Sequence, residues 1–145
     1  MNNSEVEIKL RLPGLNEYTA ECRRSKFAGA QMKAETESNI GWFIKRLPAF
    51  NDPVWVTFLW IEKDYKRDPD NIAFAKKFIF DTLVKFGKLK GDGQKCVKGF
   101  YDFFDHGPET KVIISIKTMT AAEEAKWKEI LKEYGFLPKS GLMNG

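Results

Sequence analysis

Asp68, Pro69 and Asp70 stand together in the run KRDPDN, and a third aspartate, Asp92, lies further on between Gly91 and Gly93. A residue ahead of proline is pushed out of the helical region, and proline donates no ladder hydrogen bond, so the first segment is expected to run extended. In an extended chain, residues i and i+2 point to one side with their Cα atoms about 6.6 Å apart. Two carboxylates so placed suit a hard cation, because Mg²⁺ takes a few carboxylate oxygens and completes its shell with water. Such an ion activates water and neutralises charge on a phosphoryl group, the chemistry of phosphodiester hydrolysis. Each aspartate also has a plainer reading: Asp70 as a helix cap, Asp68 as the start of a turn and GDG as a turn. Only the three together make a metal site, and the glycines beside Asp92 are what would let the chain fold back.

Residues 54–62, VWVTFLWIE, deliver the chain to the first aspartates. They are rich in β-branched and aromatic side chains with little alternation, which predicts a strand buried on both faces and central in a sheet. A helix is expected over about 71–86, with Ile72, Ala75, Ile79, Leu83 and Phe86 as its core stripe and Gly87 as its C-terminal cap. Upstream, residues 6–12 alternate apolar and charged side chains as a half-buried strand, ending at the turn signal Pro13-Gly14. LNEY reads as loop and AECRRSK has no clear period, whereas 27–47 is helical in period and closes at Pro48. Downstream, 95–104 and 111–117 read as two strands joined at His106-Gly107-Pro108, hence a hairpin. Thr120 and Glu123 fit a capping box that opens a last helix, and 136–145 reads as a flexible tail.

At 145 residues with 43% hydrophobic content, the chain supports one ordinary core, so a single domain over 1–145 is expected. The expected class is α+β: a mixed or antiparallel sheet with two long helices and a C-terminal helix. The net charge of +4 only mildly favours a polyanionic partner, since 20 acidic residues are interleaved with 24 basic ones. Cys22 and Cys96 form no CxxC or ligand spacing, so free thiols in a reducing compartment are expected. No signal-peptide pattern and no long apolar run is present, which points to a cytoplasmic protein with no membrane partner.

RDPDN, a following helix with a lysine, and then a glycine and an acidic residue shortly before a glutamine resemble the RusA-type Holliday junction resolvases, crossover junction endodeoxyribonucleases of phages and bacteria. LPGLNEY after the first strand is similar to that family's proline-containing loop. Together the matches span residues 6 to about 118. The resemblance implies a RusA-like fold and an Mg²⁺-dependent nuclease, with Mn²⁺ as a substitute, that acts in DNA recombination and repair within a bacterial host cell. It carries the metal ligands onto Asp68, Asp70 and Asp92 and a catalytic lysine onto the helix. The family lysine stands four residues after the second aspartate, and Phe74 occupies that position here. Alignment on Asp81-Thr82-Leu83 moves the lysine to Lys77, as if three residues had been inserted. Seven residues from Asp70 is a rotation of about 700°, nearly in line, whereas Lys76 falls about 120° away. The family's second acidic residue before the glutamine is replaced by Gly91.

The candidate phosphate contacts are Arg23, Arg24, Lys26, Lys33, Lys66, Arg67, Lys76, Lys88 and Lys90. A bare acidic site repels DNA, so cations around it serve binding, although any one surface lysine is more often simply solvated. The resemblance also implies a homodimer, which suits the two-fold symmetry of a four-way junction, with the aromatic residues between Phe100 and Phe104 as candidate contacts. Two other readings stand beside this one: a DNA-binding or phage structural protein without catalysis, and a metal nuclease for flaps or other branched DNA. His106, the only histidine, is given no catalytic role.

Overall fold

Every layer of the fold is arranged around the central strand. In the computed structural model, which describes residues 2–138, β2 (Val54–Glu62) covers the span predicted for it. It is flanked on both sides, in a four-stranded sheet of order β1-β4-β2-β3. β1 (Asn2–Ile8) pairs antiparallel with β4 (Lys111–Thr118), β4 pairs antiparallel with β2, and β3 (Val97–His106) runs parallel to β2 at the sheet edge. The sheet is therefore mixed, and with five helices among the described residues the fold is α+β around one core.

The expected hairpin of β3 and β4 does not form. The two strands lie on opposite sides of β2, and the chain between them crosses its end, where Gly107 N–H donates to Glu62 O (3.1 Å). A strand buried on both faces needs neighbours on both edges, and β2 is the most apolar strand. The turn residues were legible; which strand they separated was not.

Val54, Val56, Phe58 and Trp60 of β2, with Val112, Ile114 and Ile116 of β4 and Ile8 of β1, form the sheet side of the core. Helices α1 (Leu15–Arg24), α2 (Lys26–Ile44), α3 (Pro69–Ala73) and α4 (Lys76–Lys85) are the preceding helices of the chain. Phe80 of α4 meets Phe58 edge-on at 5.7 Å between ring centroids, which puts that helix on this face. Ile40 and Ile44 of α2 and Phe78, Ile79 and Leu83 of α4 complete the core. The opposite face is covered in part by α5 (Ala121–Glu133), where Trp55 and Tyr101 share a groove with Glu124 and Lys128. Thr120 and Glu123 form the expected capping box. Of the expected tail 136–145, residues 139–145 lie outside the described residues.

Three boundaries differ from the sequence reading. The first strand sits earlier than 6–12, ending at Ile8. LNEY and the segment after it, read as loop and as aperiodic, form α1, and Ser25 then caps α2 by accepting from Ala28 N–H (2.9 Å). α1 has no fully buried residue, which is why no apolar period announced it. The single helix expected over 71–86 is two, α3 and α4, because Ala75, Lys77 and Phe78 N–H bond three residues back instead of four. Gly87 ends α4 as expected, at φ 72°. Among the described residues no helix is long and apolar enough to cross a membrane.

Candidate active site

Asp68 is extended (φ −73°, ψ 155°), as its place ahead of proline requires, and it occupies the N-cap position of α3 with Pro69 opening the helix. Its side chain makes no capping bond, and Asp70, read as the helix cap in the plainer assignment, stands instead in the first turn of α3. Among the described residues no hydrogen bond or ion pair engages the carboxylate of Asp68 or Asp70, and both are exposed.

Two other stretches hold this segment in place. Arg67 is a clamp: its guanidinium forks onto Glu62 at the end of β2 (2.8 and 2.9 Å) and donates to Leu12 O (2.9 Å). Its side chain is only 10% exposed and that of Glu62 9%. Asn71 accepts from Asn16 N–H (3.0 Å) at the start of α1. Gly14 lies so close to Asn71 that a Cβ there would stand 2.8 Å from the Asn71 carbonyl oxygen. The LPGLNEY and RDPDN stretches, which carry the resemblance, are thus docked on each other. Glu17 completes the joint by accepting from Gly14 N–H (3.3 Å) and pairing with Arg11 (2.9 Å). Burial pushes the Glu17 carboxyl up, but the Arg11 and Gly14 hydrogen bonds outweigh it and hold it below its usual value.

Asp70 opens into a cleft of about 910 Å³ between α3, α4 and β3, lined also by Lys33, Lys76, Lys77, Phe80, Phe100, Asp102 and Phe104. The two helix lysines have different roles. Lys76 donates to Asp102 (2.7 Å) and to Ala73 O (3.3 Å), and its ammonium lies 4.9 Å from the Phe100 ring centroid. Lys77, with its side chain 59% exposed, reaches Asp81 at 3.3 Å on the cleft rim. Asp81 also meets Lys33 (3.5 Å), and Glu37 followed by Asp81 raises the Lys33 ammonium above its ordinary value. Phe74, in the position of the family lysine, is stacked on Tyr18 at 5.7 Å and meets Phe78 edge-on.

Asp102 escaped the sequence reading. It accepts from Trp60 Nε1 (2.8 Å) as well as from Lys76, and so forms the polar wall of the cleft. A signal was present: a lone acidic residue with Phe100 and Phe104 two positions either side points to the same face as two rings.

Asp92 is elsewhere. β2 and β3 are parallel and Val54 pairs with Val97, so the loop holding Asp92 lies at the start of both strands, while Asp68 and Asp70 follow the end of β2. A nine-residue strand spans roughly 26 Å. In keeping with this, no group of three His, Cys, Asp or Glu suited to a metal ion occurs among the described residues.

The candidate phosphate contacts are dispersed. Arg23, Arg24 and Lys26 lie exposed at the α1–α2 junction, where Arg24 pairs with Glu21 (2.9 Å). Lys66 and Lys90 are exposed, and Lys88 donates to Lys45 O (3.0 Å). Arg67 and Lys76 are spent within the fold, in the contacts already described. Comparison with family models and with curated proteins finds no match for this chain.

Proposed function

We propose that this chain is an Mg²⁺-dependent endonuclease for branched DNA, acting on four-way junctions as a homodimer, with Mn²⁺ able to replace Mg²⁺. The observation that carries this reading is the pair of unspent carboxylates at the start of α3. Asp68 and Asp70 stay exposed and unpaired while the residues on both sides, Arg67 and Asn71, are locked into the fold.

Asp68 and Asp70 are hard oxygen donors of the kind a divalent ion takes alongside water and substrate oxygens, and Asp92, at the opposite end of the sheet, is no part of that set within one chain. A bound Mg²⁺ supplies water activation and neutralises charge on the phosphoryl group. Lys77 is the residue positioned to meet a phosphate oxygen, since its exposed pair with Asp81 is cheap to exchange. Lys76 would have to leave a tighter, half-buried pair with Asp102, so it shapes the cleft wall. Lys66, exposed, would hold a flanking phosphate, and Lys33 would do so on leaving its pairs with Glu37 and Asp81. Junction selectivity then rests on shape and deformability, with no base contact required.

Incubation of a labelled four-way junction, a linear duplex and a flap with Mg²⁺ tests the reading. Preferential junction cleavage, lost in Asp70→Asn, is expected. Binding without cutting would leave a DNA-binding protein, and preference for the flap would reassign the substrate.

A further inference from the structure

Two stretches of the chain without acidic residues meet at the end of the sheet where β2 begins, away from Asp68 and Asp70. Residues 40–50 and 82–91 hold no aspartate or glutamate, although 20 acidic residues are spread through the chain. They dock where α2 and α4 end. Lys88 Nζ donates to Lys45 O (3.0 Å), Phe50 N–H donates to Lys88 O (2.8 Å), and the Phe86 ring lies so close to Gly41 that a Cβ there would meet it. These contacts gather Trp42, Lys45, Arg46, Phe86, Lys88 and Lys90 at that end. Trp42 is 69% exposed and Phe86 43%, and the Lys45 ammonium lies 3.6 Å from the Trp42 ring centroid. Two neighbouring lysines have plainer duties: Lys88 closes the last turn of α2, and Lys85 pairs with Glu37 (3.6 Å). Among the described residues, however, Arg46 and Lys90 pair with no carboxylate, and the Lys45 ammonium has only the ring.

We propose that Trp42 and Phe86, with Lys45, Arg46 and Lys90 around them, bind single-stranded nucleic acid. Cations that the fold leaves unpaired meet phosphates, and exposed rings stack on base faces, which a duplex keeps hidden. Duplex binding would use the cations and leave the rings without work. A bilayer would ask for a continuous apolar face, and α2 has turned Ile40 and Ile44 into the core. The charge of the surface suits a repeating anion, and its rings suit an unpaired base. The proposal stands on these residues alone and does not rest on the metal-nuclease reading.

Fluorescence anisotropy of labelled oligo-dT of about twenty nucleotides, titrated with the full chain in EDTA, tests the surface. Binding is expected to weaken steeply with salt, and Trp42→Ala should raise Kd about tenfold, as the loss of one stacked base does. Trp42 is exposed, so this variant is expected to keep the thermal midpoint of the wild type. Arg46→Glu combined with Lys90→Glu, both at exposed positions, should make the salt dependence shallower. A wild type that leaves oligo-dT unbound, or a Kd unmoved by Trp42→Ala, overturns the proposal. A duplex of the same length that binds more tightly and responds to the same variants overturns it as well. Phosphatidylserine vesicles or poly-glutamate held by these residues in preference to oligo-dT would give the surface another occupant and refute it. Because binding is read without metal, none of these outcomes depends on whether the chain cuts DNA.

Discussion

Asp70 and Lys76 share one cleft and differ in what the fold asks of them. The Asp70 carboxylate bonds to nothing among the described residues, so Asp70→Asn should change stability by no more than about 0.5 kcal/mol while abolishing Mg²⁺-dependent cleavage. Urea unfolding and junction cleavage on the same preparation separate the two effects. Lys76→Ala instead strands Asp102, which is 19% exposed, and should cost about 1–2 kcal/mol after allowance for solvent. Lys77→Ala should cost under about 0.5 kcal/mol, since its pair with Asp81 is exposed, and should lower the cleavage rate. The reverse order of stability losses would exchange the roles assigned to the two lysines. Phe74 belongs to this scale as well: a lysine there would have to leave a ring cluster with Tyr18 and Phe78.

Among the elements, the start of α3 depends on a joint between two stretches that are far apart in the chain. Arg67 and Glu62 are both largely buried, so Arg67→Ala leaves a buried carboxylate without its partner and should cost about 3–5 kcal/mol. Arg67→Lys would recover only part of that, because an ammonium cannot fork onto two oxygens. Chemical denaturation of both variants gives the comparison. The same joint predicts an acid response. The Glu17 carboxyl is held below its ordinary value in the folded chain, so its contribution is complete above the ordinary carboxylate pKa and is lost as pH falls through the lower folded value. Glu17→Gln should therefore flatten the loss of unfolding midpoint as pH falls below the ordinary carboxylate range. An unchanged slope would remove Glu17 from the joint.

For the whole molecule, the reading demands that metal and DNA act on the same surface. Mg²⁺ at millimolar concentration should raise the thermal midpoint of the wild type and leave Asp70→Asn unmoved, because a ligand that binds only the folded state stabilises it. Junction binding should weaken steeply with added salt as lysine–phosphate contacts give way.

Local chemistry settles a good part of this protein. Proline fixed the extended backbone at Asp68, β-branched and aromatic residues marked β2 over its full length, glycine marked the end of α4 at Gly87, and Thr120 with Glu123 marked the start of α5. These signals are legible because each acts within a few residues of itself. The tertiary structure alone decided that β3 lies parallel to β2 and apart from β4, that Arg67 serves the fold, that Asp102 walls the cleft, and that Asp92 lies at the opposite end of the sheet from Asp68 and Asp70. Strand order and long-range pairing depend on which apolar faces bury one another, and that choice is made by the whole chain at once.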